Sequence, residues 1–169
     1  MNNLRIEDFV DRVMTSHERV QFSQVDPYGH LNASRYAEFV TNHRITAVED
    51  QTGVSTYDII KTLGIGFVVA RLDLRYQAPS FLGETIEIAS WIELVNAGGI
   101  EVRLVLSGAE NKKVRATALM SVRTVDVKTG RPVACPESLP SRLEGDVLSG
   151  CPLKVDYLSG LKNLPNLKP

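Results

Sequence analysis

Cysteine is scarce in this chain, because only Cys135 and Cys151 occur among its 169 residues. Both lie near prolines with no histidine close by in sequence, so we expect ordinary reduced thiols rather than a disulfide or a metal pair. Histidine is almost as rare, and His17, His30 and His43 show no ligand spacing with the acids or the cysteines. The sequence therefore predicts no metal site, and nothing in it requires a cofactor.

Long apolar runs and an excess of charge of one sign are also missing. No apolar stretch approaches the roughly 20 residues that a transmembrane helix needs, and acids interrupt the N-terminal region where a secretory signal needs an apolar run. The formal net charge of -1 provides no basic field for gripping nucleic acid. Glycine-rich nucleotide loops and a nucleophile elbow are absent too. These absences favour a soluble cytoplasmic protein that binds neither nucleic acid nor a membrane.

The composition that remains is that of an ordinary globular protein. Apolar residues make up 43% of the chain and charged residues 23%. A chain of this length can bury roughly 70% of its unfolded surface. We expect one domain over residues 1–145, with its core at about 17–135. Residues 146–169 are predicted to form an extended tail, because the C-terminal region is rich in proline and lacks sustained periodicity.

Helical periodicity is strongest after Asn32, a residue that can cap a helix N-terminus. Aromatic and apolar side chains recur there at helical spacing and predict one helix of about 18 residues, ending at Thr52. We expect His43, in the middle of this stripe, to be a hydrogen-bonded core histidine rather than a ligand or a base. Short helices are also predicted at 6–14 and 57–63. The stripe of the long helix comprises Tyr36, Phe39, Val40, His43 and Ala47.

About five strands with alternating apolar residues are predicted around this helix. The first is expected at 19–25, after a polar break at 15–18, and the second at 67–76. Three further strands run as a meander with turns at 96–99 and 108–112. This α+β composition predicts an antiparallel sheet that curls round the helix. On the second and third strands, the apolar face is expected to carry Val68, Ala70, Leu72, Leu74 and Tyr76, and Ile86, Ile88, Ile92 and Leu94.

The segment between the first strand and the long helix is the most informative one. It reads Asp26-Pro27-Tyr28-Gly29-His30-Leu31-Asn32-Ala33-Ser34-Arg35-Tyr36. This Asp-x-x-Gly-His-x-Asn-x-x-x-Tyr pattern, in this position, resembles the hotdog-fold branch of 4-hydroxybenzoyl-CoA thioesterase and acyl-CoA thioesterases. The element order over about residues 17–135 fits the same family. The resemblance implies the hotdog fold and hydrolysis of an acyl-CoA or acyl-carrier-protein thioester. An apolar residue is common at the place of His30 in the hydroxybenzoyl branch, so the sequence leans toward the acyl thioesterases.

Thioester hydrolysis needs an attacking carboxylate, or a base for water, together with donors for the oxyanion that develops on the carbonyl. Asp26 lies at a turn, and the free amides near Ala33 open a helix whose positive dipole end attracts negative charge. By resemblance, Asp26 is the catalytic carboxylate, acting as nucleophile or general base. The N–H of Ala33 then polarises the thioester carbonyl. A turn-initiating aspartate before proline is the structural alternative for Asp26.

Four other residues of the motif are candidates for the site. Gly29 allows a backbone conformation that is costly for other residues, or lets substrate approach closely. His30 either orients the substrate carbonyl, assists proton transfer to the thiolate, or is a structural histidine bonded within the loop. Asn32 and Tyr36 are candidates for substrate contact, although we favour a helix cap for Asn32 and packing for Tyr36.

Cations on the predicted strands and turns are candidates for the phosphates of a CoA carrier, since guanidinium groups pair well with phosphate. For any one of them taken alone, we favour a solvated sheet face. Arg71 and Arg75 are the principal candidates for substrate binding. The full set is Arg71, Arg75, Arg103, Lys112, Lys113 and Arg115.

The resemblance also implies an assembly, because proteins of this family form homodimers or homotetramers with the pocket between two subunits. Apolar Trp91, Val105 and Leu119 on the outer sheet face fit that expectation. Two other functions keep the fold. One is a hydratase or dehydratase of acyl thioesters, although the sequence lacks the Pro- and Gly-rich loop with a catalytic histidine that is usual there. The other is a module that binds acyl-CoA without catalysis.

Overall fold

The computed structural model describes residues 13–52, 55–96 and 98–134. They form five strands, two α-helices and one short 3-10 turn. The 3-10 turn, Phe22–Gln24, lies between the first strand and the first helix. In chain order the other elements are β1 (Met14–Arg19), α1 (Ala33–Thr52), α2 (Thr56–Leu63), β2 (Ile65–Tyr76), β3 (Thr85–Asn96), β4 (Gly99–Gly108) and β5 (Val114–Asp126).

The five strands form one antiparallel sheet in the order β1-β3-β4-β5-β2. The long helix α1 packs against one face of this sheet, as the helical stripe predicts. Every member of that stripe is buried, with exposed fractions of 3% or less, and apolar side chains from β3, β4 and β5 complete the core. This is the hotdog fold, with β1 and β2 as the two edge strands. The predicted fold class is therefore confirmed.

A buried polar cluster lies inside this core, where α1 crosses β1 and β3. His43 is fully buried, and its Nδ1 and Nε2 atoms lie 2.7 Å from Ser16 Oγ and 2.8 Å from Ser90 Oγ. Burial, and after it the charge of Arg44, lowers the pKa of His43 to about 3. Nη1 of Arg44 donates to the same Ser90 oxygen at 2.9 Å. His43 is thus a neutral, hydrogen-bonded core histidine, as predicted.

The first strand lies earlier than the sequence predicted. β1 occupies Met14–Arg19, including the supposed polar break at 15–18, whereas the predicted strand at 19–25 contains the 3-10 turn. β1 is an edge strand, so the polar side chains on its outer face do not interrupt it. On its inner face, Ser16 is polar because it bonds to His43 rather than to the apolar core.

Two irregularities in the sheet correct the predicted strand faces. The pairing of β2 with β5 shifts between Val69 and Arg71, so Phe67 packs against the core and Val68 is 44% exposed. A second shift between Ile92 and Leu94 in β3 turns Leu94 outward, where it is 38% exposed. A β-bulge inserts one residue and exchanges the two faces beyond it, which strict alternation cannot anticipate.

Some of the sequence predictions fall on parts of the chain outside the described residues. They are the lead-in helix over 6–12, both cysteines, and the boundary between domain and tail at 145–146. The end of that lead-in helix is wrong, because residue 14 begins β1. In the parts of the chain that the structure describes, no helix is long and apolar enough to cross a membrane. The same parts contain no cluster of side chains suited to a metal ion.

Candidate active site

The segment that precedes α1 folds into a tight loop. The N–H of Asp26 donates to the His30 carbonyl at 2.8 Å, and the N–H of Gly29 donates to the Asp26 carbonyl at 2.9 Å. Gly29 has a φ of 78°, a left-handed conformation that costs other residues energy. A methyl group added there meets no atom within 4 Å. The backbone conformation, rather than crowding within the chain, therefore requires glycine at this position.

The carboxylate of Asp26 is held by the loop through one of its two oxygens. Oδ1 accepts the backbone N–H groups of Tyr28 at 2.9 Å and of His30 at 3.0 Å. Among the described residues, no group donates to Oδ2. Asp26 is half-buried. Asp26 is thus a turn-initiating aspartate, the structural role that the sequence offered as an alternative. Its second oxygen is still available for chemistry.

The first turn of α1 is capped in a way that spares its first amide. Oδ1 of Asn32 accepts from the N–H of Ser34 at 3.1 Å, and the Asn32 carbonyl accepts from the N–H of Arg35 at 2.9 Å. Asn32 is therefore the predicted helix cap. Within the described chain, the N–H of Ala33 has no acceptor. It is the first amide of a helix of 20 residues, where the dipole favours a negative group.

Two neighbouring segments hold the loop on either side. The N–H of Leu31 donates to the Ser80 carbonyl at 2.8 Å, and the N–H of Leu82 donates to the Gly29 carbonyl at 3.2 Å. On the other side, the N–H of Asn32 donates to the carbonyl of Gln24 at 2.9 Å. The loop is thus fixed by backbone hydrogen bonds from the β2–β3 connection and from the 3-10 turn.

Tyr36 packs beneath the loop rather than facing open solvent. It is 3% exposed, and its hydroxyl lies 3.0 Å from Ser80 Oγ. Burial raises the pKa of Tyr36, although the hydrogen bonds to Ser80 act in the opposite direction. Tyr36 therefore packs in the core, as expected, and its hydroxyl is already hydrogen-bonded to Ser80.

His30 is held by its backbone, whereas its ring makes only aromatic contacts. Its ring lies edge-on to Phe81, with centroids 5.1 Å apart, and is tilted against Tyr28 at 6.3 Å. Within the described residues, neither ring nitrogen has a hydrogen-bonding partner. His30 is half-buried between Tyr28 and Phe81. A structural histidine whose ring is hydrogen-bonded within the loop is therefore not what the described residues contain, and both ring nitrogens are open to the other two roles.

The sequence of this chain matches the model of a known protein family. Residues 20–143 match the model of the Thioesterase-like superfamily. That match covers strands β2 to β5, both helices and the Asp26 loop, which is well over half of the chain. The chain belongs to the Thioesterase-like superfamily.

Individual relatives of this hotdog thioesterase agree with that assignment. It is 26% identical over 131 residues to the long-chain acyl-CoA thioesterase FadM of Escherichia coli strain K12, covering 78% of this chain and 97% of the relative. The crystal structure of YbaW, a probable thioesterase from Escherichia coli, superposes with a TM-score of 0.67 at 25% identity, covering 75% and 92% of the two chains.

A more distant solved structure supports the fold alone. Slr0204, a 1,4-dihydroxy-2-naphthoyl-CoA thioesterase from Synechocystis, superposes with a TM-score of 0.65 at 14% identity, covering 75% of this chain and 92% of that chain. Similarity at this level says that the hotdog architecture is shared. It does not carry over the acyl group named for that protein.

Most of the basic residues that are candidates for binding the CoA phosphates are paired with acids. Arg115 is buried against Glu84, with Nε donating to Glu84 Oε1 at 2.9 Å, and is unavailable to a ligand. Arg103 donates two hydrogen bonds to Glu93, each of 2.9 Å. Lys112 donates to Glu87 at 2.8 Å.

Arg71 and Arg75 are both exposed, on the outward-facing side of β2. Arg71 pairs with Asp73 at 2.6 Å in an exposed ion pair of the kind that contributes little energy. It also lines an outer-face groove of about 550 Å³ together with Arg123 and two glutamates, which offset the positive charge. At the start of α1, the β2 residue in hydrogen-bonding contact is Tyr76 rather than Arg71.

Tyr76 is the residue at this site that the sequence did not indicate. Its hydroxyl donates to the Ala33 carbonyl at 3.1 Å, and its ring meets that of Tyr36 edge-on with centroids 5.2 Å apart. The two bonded residues are 43 positions apart in the chain. The sequence offered one signal for this role, a tyrosine at the end of an otherwise aliphatic strand face. Alternation alone predicts that such a tyrosine packs in the core.

Proposed function

We propose that this chain hydrolyses acyl-CoA thioesters to a free acid and a thiol, with Asp26 supplying the carboxylate and Ala33 N–H polarising the carbonyl. The observation that carries this proposal is that the loop leaves Asp26 Oδ2 and the first amide of α1 without partners among the described residues. The named activities of relatives such as FadM support the substrate class.

The carbonyl oxygen is the atom whose charge changes most during the reaction. As a nucleophile attacks the carbonyl carbon, the oxygen becomes an oxyanion, and a donor at about 3 Å lowers the barrier. The N–H of Ala33 is suited to this role because it is fixed in a helix terminus and carries the positive end of the dipole. The C–S bond then breaks and the thiolate leaves, taking a proton from water or from a nearby acid.

Asp26 has two possible roles in that sequence, nucleophile or general base. As a nucleophile, Oδ2 bonds to the carbonyl carbon and forms a mixed anhydride, which water hydrolyses in a second step. As a base, Oδ2 removes a proton from water while the water oxygen attacks. A single turnover in ¹⁸O-labelled water identifies the nucleophilic route if label enters the Asp26 carboxylate, because this requires the anhydride to form and water to attack its aspartyl carbon.

In our proposal, the other residues of the motif mainly hold the loop in the conformation that this chemistry needs. Gly29 supplies the left-handed turn, and Asn32 caps α1 without blocking Ala33. His30 lies beside Asp26 through its backbone amide, and we assign it to orienting the acyl group or to the proton that the leaving thiolate takes. Arg75, with Arg71, remains our candidate for the CoA phosphates.

We further propose that the working unit is a homodimer or homotetramer in the cytoplasm, with the pocket completed by a second subunit. Trp91 and Val105, expected to offer apolar outer surface, are already buried at 6% and 0% exposed. Among the apolar side chains that are open in the described structure are Val68 and Val69 of the edge strand β2, which are 44% and 47% exposed. Exposed edge strands readily pair with another chain. Light scattering of the protein and of Val69→Lys tests this, since the variant should have the lower mass.

A thiol-release assay on a panel of acyl-CoA substrates tests the proposed reaction. The expected result is release of free CoA with at least one acyl group, at a rate proportional to enzyme concentration. An acyl-carrier-protein thioester carrying the same acyl group shows whether the carrier matters. Tight binding of acyl-CoA without release would support a binding module, and a change in double-bond absorbance without release would support a hydratase. Either result would contradict the proposal.

A further inference from the structure

We propose that Tyr76 is a positioning residue, which fixes the Ala33 amide through the backbone of the first helical turn; this inference rests on the proposed function. Tyr76 is the last residue of β2 and pairs there with Ala116 of β5, so its backbone belongs to the sheet. Its hydroxyl donates to the carbonyl of Ala33, the first residue of α1. The side chain therefore ties the start of the helix to the sheet.

The bond has a direct geometric consequence for Ala33. The Ala33 carbonyl and the Ser34 N–H belong to one peptide group, and both of its polar atoms are engaged. Tyr76 donates to the oxygen at 3.1 Å, and Asn32 Oδ1 accepts from the nitrogen at 3.1 Å. As the first residue of α1, Ala33 also accepts the helical N–H of Ala37 through the same oxygen, and rotation of the planar group would break these bonds. The torsion on the carboxyl side of the Ala33 Cα atom is thereby fixed.

The amino side of Ala33 is held as well. The N–H of Asn32 donates to Gln24 at 2.9 Å, and the Asn32 carbonyl accepts from Arg35 at 2.9 Å. The Ala33 N–H belongs to the same peptide group as that carbonyl. With both neighbouring peptide groups fixed, the unused N–H points in one direction. Such fixed donors stabilise an oxyanion well because no reorganisation is needed when the charge develops.

The exposure of Tyr76 argues against a role in core packing alone. Tyr76 is 53% exposed, whereas Tyr36 below it is 3% exposed and fills the core. Its ring makes an edge-on contact with Tyr36, which the change to phenylalanine retains. The hydroxyl alone makes the link to Ala33. Removing that one oxygen therefore separates positioning from packing.

The test compares Tyr76→Phe with Tyr57→Phe, which removes the hydroxyl of a 71% exposed tyrosine on α2. For Tyr76→Phe we expect kcat to fall about fivefold to tenfold with KM unchanged, and the urea midpoint to fall only slightly because one exposed hydrogen bond is lost. For Tyr57→Phe we expect no change in either constant. A kcat of Tyr76→Phe within twofold of the parent would overturn the proposal, as would a rise in KM alone, which indicates direct substrate contact.

A spectroscopic readout checks the same point without turnover. In an Asp26→Asn background, the infrared carbonyl band of a bound ¹³C-labelled acyl-CoA should lie at lower frequency than in water, and adding Tyr76→Phe should move it back toward the free value. An unmoved band would overturn the positioning role. If Asp26→Asn itself hydrolyses at the parent rate, the proposed function fails instead. If Asp26→Asn is inactive and Tyr76→Phe behaves as the parent, only the present inference fails.

Discussion

Oδ1 of Asn32 accepts the N–H of Ser34 at 3.1 Å, so the helix cap uses the second amide of α1 and not the first. The first amide, that of Ala33, has no acceptor among the described residues. The same asparagine that stabilises the helix thus leaves the first donor of the helix available. A cap on Ala33 itself would have removed the oxyanion donor that the proposed hydrolysis requires.

Replacing Ala33 by proline tests that donor directly. Proline is well tolerated at the first position of a helix, and Asn32 before it lies outside the helix, so α1 should remain intact. The N–H is lost, and we expect kcat to fall by about a hundredfold to a thousandfold. Measurements are kcat from thiol release and helix content from circular dichroism. Ala33→Ser, which retains the N–H, is the control, and equal rates for both variants would refute the role of the amide.

The left-handed turn at Gly29 gives a second prediction. Gly29→Ala meets no atom within 4 Å but keeps a φ of 78°. We therefore expect a loss of about 1 kcal/mol in unfolding free energy, from strain alone. Gly64→Ala is matched to it, with a φ of 65° and equally open space, at the end of α2.

Urea unfolding and thiol release should distinguish the two glycines. Both variants should lose similar stability. Only Gly29→Ala should lose activity, because the Asp26 carbonyl accepts from the N–H of Gly29 and the Asp26 carboxylate accepts from the N–H groups on either side of it, those of Tyr28 and His30. Full activity in Gly29→Ala, at a temperature where it is folded, would show that the turn does not position Asp26.

The buried His43 predicts how stability depends on pH. Its pKa in the folded protein is about 3, well below the ordinary value of about 6.5 that the unfolded chain has. The unfolded state therefore binds the proton first as the pH falls. The stability from His43 is fully present above pH 6.5 and is lost between about pH 6.5 and 3.

Between pH 7.5 and 5.5 this effect should lower the unfolding free energy by about 1.4 kcal/mol, before most carboxylates titrate. Urea unfolding at both values measures it. His43→Gln should be less stable at pH 7.5 and show little change on acidification, whereas His17→Gln, at an exposed position, should keep the change. Identical pH dependence in parent and His43→Gln would contradict the assignment.

The sequence indicated the main parts of the site because they are local. Asp26, Gly29, Asn32 and Ala33 lie within eight consecutive positions, and turn and cap preferences act over that range. The stripe of α1 was equally clear, since burial on one helix face leaves a repeating pattern. The family match over 20–143 agrees with both.

What the sequence did not indicate depends on contacts between distant residues. The bond from Tyr76 to Ala33 spans 43 positions, and the bond between Tyr36 and Ser80 spans 44. The bulges in β2 and β3 exchange strand faces without a glycine or proline to mark them. β1 was placed too late, because Ser16 faces a buried histidine where the pattern calls for an apolar residue.

The central claim is that hydrolysis needs the carboxylate of Asp26, and Asp26→Asn tests this claim most directly. Asparagine keeps the oxygen that accepts from Tyr28 and His30, so the turn should survive. Asp126 makes the same kind of turn at the far end of β5, accepting from the N–H groups of Lys128 and Thr129. Asp126→Asn is therefore a matched control for the loss of one turn carboxylate.

The deciding measurement is kcat for CoA release by these two variants, with the substrate that the parent protein hydrolyses best. The account predicts that Asp26→Asn is slower by at least about a hundredfold while remaining folded, and that Asp126→Asn matches the parent. Hydrolysis by Asp26→Asn at close to the parent rate would contradict it.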